Sequence, residues 1–200
     1  MGETVIVTFH PHPRKIVRHT HKVQLLNTLE EKIELLSDEG IDHLVVTPFD
    51  EAFAEQSAEG YIKDFLVQRI NPHTIIIGYD HRFGKNREGN YLMLEQYAET
   101  LGFVVKEISE KVLNEVAVSS TRIRKALLVG DVETANTLLG YDYFFEGNVI
   151  EGNQLGRTLG YPTANIAIKN HEKLIPGNGV YAVKIKIGED GFKGMMNIGF

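Results

Sequence analysis

Hydrophobic positions along this chain follow two regimes. Through residue 140 or so, short β-branched runs alternate with longer amphipathic stretches. "ETVIVTF" is a strand pattern ended by the proline-rich "HPHP". "TLEEKIELLSDEG" places Leu29, Ile33 and Leu36 on one helical face, with Thr28 and Glu31 at capping-box spacing and Gly40 as the stop. "HLVVTPF" is the next strand, and Ser57 is a cap for a helix through "AEGYIKDFLVQRI". "HTIIIGY" is a buried-looking strand, followed by the polar loop "DHRFGKNREGN", a helix from Tyr91 to Leu101 with Gly102 behind it, and the strand "FVVKEI". Helices "STRIRKALLVG" and "DVETANTLLG", capped by Ser120 and Asp131, close the series. Strands separated by helices of this size imply a parallel sheet with right-handed crossovers.

After Tyr141 the helical period disappears. "YFFEGNVIEG", "GVYAVKIKIG" and "FKGMMNIGF" are short strand patterns punctuated by glycine, as in a small antiparallel barrel. The expected fold is therefore α/β: a Rossmann-like parallel-sheet domain over residues 1–142, then a partial antiparallel β-barrel over 143–200. The chain opens and closes inside strand patterns, which leads us to expect a longer native protein.

Composition narrows the class. The chain has 200 residues, 42% hydrophobic and 24% charged, as in soluble globular proteins. A net charge of −6 argues against a nucleic-acid partner, which favours a basic surface. Cysteine is absent, so neither a disulfide framework nor a thiolate zinc site is available. The apolar runs are too short to cross a bilayer, and the N-terminal stretch reads as a strand, not a signal core. The expectation is a cytoplasmic protein without membrane contact.

The densest chemistry lies in "GNVIEGNQLGRTLGYPTAN". Gly152, Gly156 and Gly160 allow close backbone approach to a ligand and turn amides toward phosphate oxygens. Thr163 and Asn165 offer hard oxygen donors suited to Mg2+, and Arg157 a cation for phosphate. The competing interpretation is a plain glycine-rich hairpin. In "VSSTRIR", Ser119, Ser120 and Thr121 sit where a helix begins, with Arg122 and Arg124 adding fixed charge, a setting for a triphosphate. Asp80, Arg82, Phe83 and Arg87 occupy the polar loop after a buried strand, where open α/β sheets bind ligands. His10 and His12 suggest a metal site, but prolines confine them and no third ligand is near. His19 and His21 read as surface residues.

The Gly-rich segment leading into Pro162-Thr163-Ala164-Asn165 resembles the flavokinase signature, and "VTFHPHP", "IIGYDHRFGKNREG" and "VSSTRIR" resemble, in order, three segments of bacterial bifunctional riboflavin kinase/FMN adenylyltransferases. The resemblance covers nearly the whole chain. It implies phosphorylation of riboflavin in the C-terminal barrel and adenylylation of FMN to FAD in the N-terminal domain, with ATP and Mg2+. On that basis Thr163 and Asn165 organise magnesium and ATP phosphates, and Ser119, Ser120, Thr121 and Arg122 hold the ATP of the second reaction. His10 and His12 then lie beside the nucleotide site and form no metal centre. The family's His-x-Gly-His box, which stabilises the transferring phosphoryl group, occurs nowhere in the sequence, and its kinase base lies downstream of "NIG". No catalytic residue is thus identifiable in this chain. Two rivals stay open: a non-catalytic flavin- or nucleotide-binding module, and a nucleotidyltransferase for another substrate.

Overall fold

A computed structural model describes residues 2–17, 23–109, 119–152, 155–158 and 160–199. Residues near "HTHK", including His19 and His21, lie outside this set, as does Val118. Contacts divide the chain into two compact units: Met1–Val23 with Leu36–Ala117, and Gln24–Leu35 with Val118–Phe200.

In the first unit, β1 (Val5–His10) is followed by α1 (Pro13–Val17). Helix α2 (Leu29–Asp38), which belongs to the second unit up to Leu35, leads to β2 (His43–Pro48), α3 (Glu51–Ala54) and α4 (Ala58–Gly60) of the first. The chain continues from α4 as a π-helical stretch, Tyr61–Ile70, where the sequence pattern suggested an ordinary α-helix. Strand β3 (Thr74–Gly78), helix α5 (Tyr91–Leu101) and strand β4 (Val104–Ile108) complete it. The strands are parallel, as the alternation with helices predicts, and they pair two by two: β1 with β2 and β3 with β4. Both pairs send apolar side chains (Val7, Phe9, Ile75, Ile77) onto one core of Ile62, Phe65, Leu94 and Phe103, so the π stretch and α5 are held by burial more than by local propensity.

The second unit holds α6 (Ser120–Leu128) and α7 (Val132–Leu139), then β5 (Gly147–Ile150), α8 (Leu155–Thr158) and β6 (Asn165–Ile168). Strands β7 (Gly179–Ile187) and β8 (Asp190–Ile198) end it. Here β5 pairs with β6 and β7 with β8, all antiparallel, and no closed barrel forms among the described residues. The short helix α8 and strand β6 were not legible in the sequence, which showed no helical period after Tyr141. The core of this unit is Ile123, Leu127, Ala135 and Leu174, with Leu26 packed against it. No described helix is long and apolar enough to cross a membrane.

Candidate functional site

The glycine-rich segment connects β5 to β6, and the ladder sets Ile150 opposite Asn165. This register folds the connection so that its special residues meet. A β-carbon at Gly152 would collide with the Asn165 amide, and one at Gly156 would collide with the Tyr161 carbonyl and come 3.1 Å from Thr163 Oγ1. Glycine at both positions is what allows Thr163 and Asn165 to close over the loop. The Tyr161 amide donates to the Gly156 carbonyl at 2.8 Å, and Gly160 takes a φ of +78°. Thr163, Asn165 and Arg157 all face solvent. A hydroxyl and a side-chain amide are thereby brought against the backbone at Gly156 and Gly152. Such a cradle suits phosphate oxygens and a hard cation.

At the start of α6 the cap is Ser119, not Ser120. The Ser119 hydroxyl accepts from the Arg122 amide at 3.2 Å, with extended backbone at φ −137°. Ser120, Thr121 and Arg122 occupy the exposed first turn, where amide dipoles converge. Arg124 is used differently: its Nε donates to the Gln24 carbonyl at 3.0 Å.

The polar loop after β3 is more ordered than its composition suggests. Phe83 and Gly89 exchange both backbone hydrogen bonds, at 3.2 and 2.9 Å. The loop is pinned to the start of α4 by the Lys85 amide on the Gln56 carbonyl at 2.7 Å and the Ala58 amide on Glu88 Oε1 at 2.9 Å. Phe83 does not stand in the open loop as a free ligand contact. Its ring is buried in the first core, 5.1 Å from that of Tyr61, because the bridge to Gly89 turns it inward. Burial pushes the Tyr61 phenol up to about 12. Asp80, Arg82 and Arg87 remain exposed, with Arg87 in left-handed backbone at φ 61°.

His81 stands between these groups and was passed over in the sequence. Its ring lies 5.9 Å from Phe83. Loss of hydration, helped by the nearby Arg82 and Arg87, holds its pKa below the ordinary histidine value against the pull of Asp80. The juxtaposition with an aromatic ring was hidden because the loop's turn back to Gly89 has no sequence period. His10 is exposed at the end of β1, and His12 Nδ1 accepts from the Arg14 amide at 3.1 Å. Among the described residues no cluster of His, Cys, Asp or Glu is able to hold a metal.

A parallel α/β unit is followed by antiparallel strands, two of them joined by a glycine-rich connection that holds Thr163 and Asn165 close to its backbone. The family model for FAD synthetase matches residues 2–122, and the one for riboflavin kinase matches residues 139–200. The chain belongs to the FAD synthetase family, with riboflavin kinase sequence in its C-terminal part. It is 41% identical to a bifunctional riboflavin kinase/FMN adenylyltransferase of Buchnera aphidicola over 98% of its own length and 63% of the relative's. A protein of the same name from Listeria monocytogenes is 38% identical over 99% of this chain and 62% of its own. A third, from Escherichia coli, is 34% identical. A solved structure described as a macrolide-efflux protein from Streptococcus pneumoniae superposes with a TM-score of 0.84 at 29% identity, over 98% of this chain and 64% of that one. The chain thus spans less than two thirds of the curated relatives it matches.

Proposed function

We propose that the protein makes FAD from riboflavin in two ATP-dependent transfers, in the cytoplasm and on small-molecule substrates alone. In the first, the riboflavin 5′-hydroxyl attacks the γ-phosphorus of ATP, giving FMN and ADP. In the second, an FMN phosphate oxygen attacks the α-phosphorus of another ATP, giving FAD and pyrophosphate. The observation that carries this reading is the closure of Thr163 and Asn165 over Gly156 and Gly152. In-line phosphoryl transfer needs positioning and charge stabilisation more than covalent chemistry from the protein. The cradle offers both, through backbone amides, the Arg157 cation and two neutral oxygen donors. Thr163 and Asn165 are the residues that would hold Mg2+, which supplies charge neutralisation between ATP phosphates when bound. In the second unit, Ser120, Thr121 and Arg122 at the start of α6 would serve ATP phosphates; in the first unit, and independently, Asp80, Arg82 and Arg87 would contact flavin or nucleotide.

The test is chromatographic. Full-length protein given riboflavin, ATP and Mg2+ accumulates FMN and then FAD. The Asn165→Ala variant loses FMN formation by about a hundredfold or more, the scale of removing one preorganised polar group, and still converts supplied FMN to FAD. Full kinase rate in that variant overturns the assignment of the cradle. Tight flavin binding with no product from the unaltered protein overturns catalysis.

A further inference from the structure

Residues 24–35 come early in the chain yet belong to the second unit. Leu25 bridges Lys173 in parallel: its amide donates to the Glu172 carbonyl at 2.7 Å, and its carbonyl accepts from Leu174 at 2.9 Å. Tyr141 donates to Asn27 Oδ1 at 3.0 Å. Helix α2 then begins with the reciprocal Thr28/Glu31 capping box, Glu31 Oε2 accepting from the Thr28 amide at 2.9 Å. The same oxygen receives Lys173 Nζ at 2.6 Å, and that ammonium also donates to the Leu26 carbonyl at 2.6 Å. Its remaining side faces the Tyr143 ring, 4.3 Å from the centroid. Both charged side chains are only 1% exposed.

Removing two ions from water is costly, and only close pairing with satisfied hydrogen bonds offsets it. An apolar pair would hold the segment here with less cost. An ion pair adds intolerance of slippage, because any shift leaves a buried charge alone. Lys173 is tied to the phosphate cradle through β6. The Lys173 amide donates to the Asn170 carbonyl at 3.0 Å, closing a turn directly after β6, and Lys169 is anchored to Glu146 before β5. Asn165 is the first residue of that same strand.

We propose that Glu31 and Lys173 are positioning residues of the kinase half, which fix the register of β6 and through it the placement of Thr163 and Asn165. Residues 24–35 are accordingly a strap of the C-terminal unit, outside the stretch that matches riboflavin kinase. The proposal rests on the kinase reading of the cradle given above.

The experiment compares full-length Glu31→Gln, Lys173→Met and the pair Glu31→Leu/Lys173→Met. Both single variants accelerate amide exchange at Leu25 and Leu174. They raise the KM for ATP in riboflavin phosphorylation about ten- to a hundredfold, the range for losing an outer partner of a ligand-holding group. The KM for riboflavin and the adenylylation of supplied FMN stay within about twofold by the same comparison. The paired variant, with no lone buried charge, recovers most of the loss. Faster exchange with an unchanged KM for ATP overturns positioning and leaves a purely structural strap. Equal losses in kinase and adenylylation overturn it too. A single variant too unstable to assay is replaced by Lys173→Arg, which keeps the charge but not the compact ammonium geometry, and whose KM for ATP must also rise. An unaltered protein that forms no FMN defeats the kinase reading itself, whereas an active one with unaffected variants defeats this proposal alone.

Discussion

Gly89 has no room for even a methyl group, since a β-carbon there would collide with the Phe83 ring. Gly89→Ala should therefore destabilise the protein by about 1–3 kcal/mol, as overpacking does, seen as a lower urea midpoint at unchanged slope. His81 gives a second expectation. Its folded pKa lies below the unfolded value of 6.5, so the unfolded state binds more protons between the two. The contribution of His81 to stability thus falls as pH drops below about 6.5, and His81→Gln should remove that part of the slope in denaturant titrations at pH 5.5 and 7.5. At this scale the sequence disclosed Gly152, Gly156, Thr163 and Asn165 as unusual, because glycine spacing is visible in one dimension. It disclosed Glu31 as a capping partner of Thr28 but not its buried pairing with Lys173, since charged residues are ordinarily solvated and nothing local marks these two as buried. Phe83 misled for a related reason: its polar neighbours gave no sign of the bridge that turns it into the core.

Helix α5 shows how far local signals reach. Asn90 caps it by accepting from the Met93 amide at 3.0 Å, and Gly102 ends it in left-handed backbone, the bounds the sequence suggested. Helix α6 is a finer case, with two adjacent serines of which only Ser119 has the extended backbone a cap needs. Ser119→Ala should cost about 1 kcal/mol and Ser120→Ala no more than about 0.5 kcal/mol, a difference readable in thermal melts. The strands other than β6 were legible as strands, and their parallel or antiparallel sense followed from what separates them. The pairing of Leu25 with Lys173 was not. A single bridge leaves no alternation, and its partners are set by tertiary packing.

Over the whole molecule the strands pair only two by two among the described residues, and several carry exposed apolar side chains, Met195 at 85% and Val180 at 71%. Unpaired strand edges invite association with other chains. A net charge of −6 at pH 7, which vanishes near the isoelectric point of 5.8, opposes such association. Light scattering of this 200-residue chain should accordingly peak near pH 5.8 and fall at pH 8. The order of the two regions was readable from where hydrophobic periodicity changes. The discontinuity of the second unit was not, because nothing in a linear pattern announces that residues 24–35 pack with partners beyond residue 118.

That discontinuity sets a clock on synthesis. Glu31 and its ammonium partner are 142 residues apart. At about 5–20 residues per second a ribosome needs roughly 7–28 s to deliver one after the other. Throughout that interval the strap has left the exit tunnel without its partner, while the intervening residues of the first unit collapse. Its carboxylate must stay hydrated and its leucines loosely held until Lys173 emerges. The second unit is thus completed by a piece made early, kept waiting, and locked in only once Lys173 has emerged.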